Sequence, residues 1–225
     1  TISSVATPIP NSFLANSSIT ISGTSISLGG STSSLANDIT INGQTVGTGG
    51  GNVSTNTAHG ASALAANTTG SYNTAIGRAT LSSNTIGQFN TAVGNAALNL
   101  NTTGSYNTAI GEESLYNNTT GVQNVGIGYQ TLYSNTIGSN NIAIGHQSLY
   151  NSVSGGAAVA IGYRAAYSTT ANLNDGDVSI GYKAGYTKNT ASDTYNSVFI
   201  GFNAGTAVNS GTDNTFVGGA SGQAT

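Results

Sequence analysis

Cysteine, methionine and tryptophan are absent from the 225 residues, proline occurs twice, and only 11 side chains are charged, 4 Lys or Arg and 7 Asp or Glu. Without cysteine there is neither a disulfide framework nor a thiolate zinc site. A charged fraction of 5% stands against roughly 25% in ordinary globular domains, which argues against a solvated enzyme domain. Intrinsic disorder fits no better, because disordered chains are typically rich in charge and poor in β-branched residues. A net charge of −3 supplies no basic footprint for nucleic acid. No apolar run approaches the ~20 residues of a membrane span. Neither nucleic-acid binding nor membrane insertion is expected. In their place stand 32 glycines and abundant Asn, Ser, Thr, Ile and Val, a composition suited to stacked β-turns and short strands.

The dominant feature is a repeat. NTAIG at Asn73–Gly77 recurs as NTAVG ending at Gly94, NTAIG at Gly111, NVGIG at Gly128, NIAIG at Gly145, AVAIG at Gly162, DVSIG at Gly181, SVFIG at Gly201 and NTFVG at Gly218, with a weaker NTAHG ending at Gly60. The spacing is 17 residues from Gly60 to Gly162, then 19, 20 and 17. A fixed period of this length is the signature of a solenoid, in which one repeat cannot bury its apolar face alone and neighbours stack to make a continuous core. The expected fold is therefore all-β, a parallel β-solenoid or β-roll of about ten 17-residue coils over residues 52–225.

Aligned on the glycine, the repeats form columns. Ile76, Val93, Ile110, Ile127, Ile144, Ile161, Ile180, Ile200 and Val217 precede it, and Thr74, Thr91, Thr108, Val125, Ile142, Val159, Val178, Val198 and Thr215 stand two positions earlier. Strand side chains alternate with period two, so these two columns share a face. Their bulk suggests that this face is the dry core. The column between them, Ala75, Ala92, Ala109, Gly126, Ala143 and Ala160, suggests a close-approach surface for neighbouring chains and hence an oligomer. Leu64, Leu81, Leu98, Leu115, Leu132 and Leu149 follow four residues after the glycine, in a helical or 3-10 turn or in a second short strand. Asn67, Asn84, Asn101, Asn118 and Asn135, each followed by a glycine three residues later, read as the turn that closes each coil.

Residues 1–51 differ. Ile19–Leu28 alternates about Gly23 as a hairpin or two short strands, Asp38–Gly43 offers a third strand, and Gly47–Gly51 reads as a flexible joint. This N-terminal β module is expected to attach to other virion or fibre proteins. At the far end, the longer coils after Gly162 and Gly181 hold Arg164, Asp175, Asp177, Lys183, Lys188 and Asp193, six of the 11 charges. Insertions in solenoids commonly map to the binding face.

The segment NTAIGRATLSSNTIGQFNTAVGNAALNLNTTGSYNTAIG resembles the head repeats of YadA-like trimeric adhesins and, more closely, the longer repeats of bacteriophage tail fibres, cyanophage fibres in particular. ANSSITISGTSISLGGS and DITINGQTVGTGGG are similar to segments that precede such repeats. The resemblance implies a homotrimeric, left-handed parallel β-roll or β-helix that serves as a fibre shaft or in adhesion. The expectation is thus a virion tail-fibre protein. The alternative is a bacterial trimeric adhesin head or an extracellular filament subunit at the cell surface.

No residue reads as catalytic and no cofactor is expected. Glu112 and Glu113 are adjacent and would point to opposite faces of a strand. His59 and His146 occupy variable positions, and Asp175 and Asp177 in NDGD lack the rest of a calcium loop. The Thr68, Thr85, Thr102 and Thr119 column is explained by its turn position. Tyr116, Tyr133, Tyr150, Tyr167 and Tyr186 form an aromatic stripe that either contacts a host-surface glycan or protein receptor or seals a subunit interface. With Asp175, Asp177, Lys183 and Lys188 they are the candidate receptor contacts.

Overall fold

The computed structural model describes residues 18–21, 24–27, 39–41, 44–169, 176–188, 196–208 and 213–222. The chain divides into two compact units, residues 1–36 and 37–225. In the first, β1 (Ser18–Ile21) and β2 (Thr24–Ser27) form the expected antiparallel hairpin, with Ile19 opposite Ile26.

The second unit is the solenoid. Ten strands pair in parallel: β5 (Thr57–Gly60), β6 (Thr74–Ile76), β7 (Thr91–Val93), β8 (Thr108–Ile110), β9 (Val125–Ile127), β10 (Ile142–Ile144), β11 (Val159–Ile161), β13 (Val178–Ile180), β15 (Val198–Ile200) and β17 (Thr215–Val217). Like residues pair with like, as in Ile110 with Ile127 and Ile161 with Ile180, so the longer coils return to the same register. Seven of the nine steps are 17 residues and two are 19 and 20. The structure is thus about eight 17-residue coils with two enlarged ones, rather than ten alike. At about 4.8 Å per step, the ten strands span roughly 43 Å.

An antiparallel hairpin, β3 (Ile39–Ile41) and β4 (Gln44–Gly47), pairs with β5 and closes one end of the sheet. The glycine run that follows is packed rather than loose. Gly49 is buried, the Gly50 N–H donates to Leu64 O at 2.9 Å, and a Cβ at Gly50 would come within 2.7 Å of Ala65 O. These glycines belong to the cap of the solenoid.

The strand alternation is as expected and its two sides are reversed. Ala75, Ala92, Ala109, Ala143 and Ala160 are fully buried, whereas Ile110 and Ile142 are each 39% exposed and Ile200 37%. Volume decides this. Each coil already places one fully buried Leu, from Leu64 to Leu149, in its interior. The space left for the strand admits only a small residue. At Gly126 even a Cβ would lie 2.6 Å from Ser114 Oγ and 2.9 Å from Thr131 Oγ1. The small column is therefore interior and cannot be an intersubunit surface. The β-branched columns face outward.

The segment carrying the leucines is a turn, not a helix or a regular strand. The residues two and four positions after the coil glycine are left-handed, as at Ala79 (φ 55°) and Leu81 (φ 50°). They are tied to neighbouring coils by Ala79 N to Ala61 O at 2.7 Å and Leu81 N to Ala97 O at 3.1 Å. Among the described residues a second parallel strand appears only in the last coils, as β12 (Ser168–Thr169), β14 (Thr187–Lys188) and β16 (Ala207–Val208).

Two interior ladders of asparagine replace apolar packing at the coil's other side. Asn84, Asn101, Asn118 and Asn135 each donate Nδ2 to the Oδ1 of the asparagine one coil earlier, at 2.8–3.0 Å, and to the glycine carbonyl of their own turn. A second ladder runs through Asn73, Asn90, Asn107, Asn124 and Asn141, whose backbone N–H groups also donate to the preceding Oδ1. Buried amides are tolerable because donors and acceptors repeat at the strand spacing. Thr68, Thr85, Thr102 and Thr119 donate their hydroxyls to the next coil's threonine carbonyl or its equivalent at 2.9–3.0 Å, which gives the column a turn-closing role.

Candidate functional site

Because the coils stack in register, any residue type repeated in one column becomes a ladder along the solenoid. Tyr116, Tyr133, Tyr150, Tyr167 and Tyr186 stack face to face with centroids 5.1–5.4 Å apart. All five are half-buried. Burial pushes the Tyr133 and Tyr150 phenols above the ordinary tyrosine range; for Tyr133 the Glu113 carboxylate adds to the shift, and for Tyr150 Tyr167 and then Glu113 do.

A second ladder stands in the column immediately after the coil glycine: Tyr129, His146, Tyr163, Tyr182 and Phe202, with centroids 5.0–5.2 Å apart. Sequence reasoning passed over it, treating His146 as a variable position. The signal was present in the same alignment, since from Tyr129 to Phe202 four of the five successive residues in that column are Tyr or Phe. A third stack, Tyr72, Phe89 and Tyr106, occupies a separate column in the early coils, with centroids 4.9 and 5.0 Å apart.

Between the first two ladders runs a polar column. Glu113 accepts from Gln130 Nε2 at 2.7 Å, Gln130 Oε1 accepts from Gln147 Nε2 at 2.8 Å, and Gln147 Oε1 accepts from Arg164 Nε at 2.8 Å. Every bond points the same way, from a cation at one end to an anion at the other. The Arg164 guanidinium lies 5.3 Å from the Tyr163 centroid and 4.9 Å from that of Tyr167. One coil on, Lys183 Nζ lies 5.4 Å from Tyr182 and 5.2 Å from Tyr186. Each cation is thus shared by one ring of each ladder.

The remaining candidates divide. Asp177 is 1% exposed, sits in the column of the second asparagine ladder, and accepts from the Ser197 N–H at 2.7 Å. Its place is interior, so it is withdrawn as a receptor contact. Asp175 lies outside the described residues. Lys188 ends β14. Glu112 accepts from Asn95 Nδ2 at 3.2 Å, and His59 lies in the outward isoleucine column, paired with Ile76. Among the described residues no group of three or more His, Cys, Asp or Glu is placed to hold a metal ion, and no helix is long and apolar enough to cross a membrane.

The site that results is a strip along the solenoid: two aromatic ladders with amides and charges between them. Ring faces are covered by neighbouring rings, so the strip offers edges, hydroxyls and cationic N–H groups. No family model, curated protein or solved structure matches the chain.

Proposed function

We propose that this chain is a structural and adhesive module of an extracellular fibre, in the manner of a trimeric adhesin head or filament subunit, and not an enzyme. The observation that carries the reading is the outward sheet face. One outward column is Ile or Val in nine successive strands, from Ile76 to Val217, the column beside it is Val or Ile from Val125 to Val198 and Thr elsewhere, and Val217 is 66% exposed. Contiguous apolar surface of this kind marks an interaction site. A second copy of the chain repeats the same columns at the same spacing, which makes it a natural partner; three copies enclose such a face symmetrically.

The test is sedimentation of the intact chain beside Ile110→Asn/Ile144→Asn. The expected result is a trimer that falls to folded monomer in the variant. A wild-type chain that stays monomeric at micromolar concentration overturns the assembly.

A virion tail fibre is the second reading. It is favoured by the 17-residue period and by the N-terminal segments quoted above, which are similar to those of phage fibres. Antibody labelling viewed by electron microscopy separates the two: decoration of virions supports the fibre, decoration of cell surfaces the adhesin.

A further inference from the structure

We propose that Arg164 and Lys183, together with Tyr163, Tyr167, Tyr182 and Tyr186, form a binding site for an acidic glycan, whose sugar carboxylates sit on the two cations; the assignment rests on the adhesive reading above. The first argument is electrostatic. Arg164 and Lys183 occupy the same column in successive coils, and the Lys183 N–H bonds to Tyr163 O at 2.9 Å. The backbones that carry the two like charges are thereby held about one strand spacing apart. No carboxylate contacts either among the described residues, and the one acid of their column, Glu113, lies three coils from Arg164 and four from Lys183, at the other end of the amide relay. Among the described residues Arg164 commits only Nε, to Gln147, and Lys183 Nζ has ring contacts but no hydrogen bond. The chain has 4 cationic residues and a net charge of −3, so two cations in successive coils with no carboxylate partner among the described residues stand out against the charge of the whole.

The rings complement the same ligand. A ring face is electron-rich and its edge electron-poor. The stacks cover the faces with each other and with the cations, and so present edges that favour an anion. None of the four tyrosine hydroxyls has a hydrogen-bond partner among the described residues. A carboxylate at the cations, with hydroxyl partners repeating at each coil, is what a linear polymer of uronic acids offers. Its polar groups recur along its length at a step comparable to the coil spacing. A small anion would use the cations alone and leave the hydroxyl rows idle.

The experiment is calorimetric titration of the intact chain with a linear hexamer of uronic acid, with its methyl ester and with poly-glutamate of equal charge. Expected are binding of the acid that weakens with added salt, and affinity at least about tenfold lower for the ester and for Arg164→Gln/Lys183→Gln. Lys183→Gln alone breaks no hydrogen bond among the described residues and is expected to weaken binding in the same direction at unchanged melting temperature. Ester or poly-glutamate binding as tightly as the acid overturns the proposal, as does an undiminished double variant. If the wild type adheres to cells or particles and the double variant adheres equally, this assignment fails alone. If the wild type adheres to nothing, the adhesive reading fails.

Discussion

Phe199, on the inward face of β15, fills the volume that Gly205 leaves: a Cβ at Gly205 would collide with the Phe199 ring. In earlier coils the same two positions hold Ala and Leu, as in Ala109 and Leu115, both fully buried. The last coils exchange the pair, moving bulk from the turn to the strand. Gly222 repeats the arrangement under Phe216, where a Cβ would lie 2.6 Å from the ring. The exchange also relieves the backbone. Leu115 holds φ 53° and Gly205 φ 58°, a left-handed region that costs an ordinary residue roughly 1–2 kcal/mol.

Gly205→Leu is therefore expected to destabilise the last coils by about 2–4 kcal/mol, from overpacking and left-handed strain together. Adding Phe199→Ala restores the Ala–Leu pairing and recovers part of the loss. Denaturant melts of the double-mutant cycle measure this, and strict additivity would contradict the coupling.

The first asparagine ladder stops one rung short. Asn135 Oδ1 and Ser152 Oγ are both buried without a hydrogen-bond partner, and Ser152 stands where the next asparagine belongs. Ser152→Asn supplies the missing donor and is expected to stabilise the solenoid by about 1 kcal/mol. A lower melting temperature would count against the ladder's role.

The two faces of the strand predict opposite phenotypes. Leu115→Ala is expected to cost about 2–5 kcal/mol of stability, and Ala109→Ile about 1–3 kcal/mol by overpacking. Ile127→Asp, on the outward column, leaves the single chain folded and removes self-association. Thermal melts paired with sedimentation separate the effects; a collapsed fold in Ile127→Asp would return that column to the interior.

Tyr133 and Tyr150 titrate above the ordinary tyrosine value of 10.0 in the folded chain. The folded state then holds more protons than the unfolded one in the window above that value, so stability falls as pH rises through it. The melting temperature is expected to decline above pH 10, less steeply in Tyr133→Phe/Tyr150→Phe. Equal slopes in the two proteins would remove these phenols from the explanation.

Much of this was legible in the residues because a repeat converts sequence spacing into spatial columns. The seventeen-residue period, the strand before each glycine, the asparagine turn and the tyrosine stripe all follow from alignment alone. What alignment could not decide was which side of a three-residue strand faces inward. Period two says that Ile110 and Ala109 point oppositely, and hydrophobicity favours burying Ile110. The fold buries Ala109 because the coil's interior is narrow and Leu115 already occupies it. Free volume is a property of the closed coil and is set only when the turn carrying Leu115 folds back over the strand. Asp177 and the Arg164–Lys183 pair make the same point. Their charges are visible in sequence, but stacking alone sends one into an asparagine column and places the others between two walls of tyrosine.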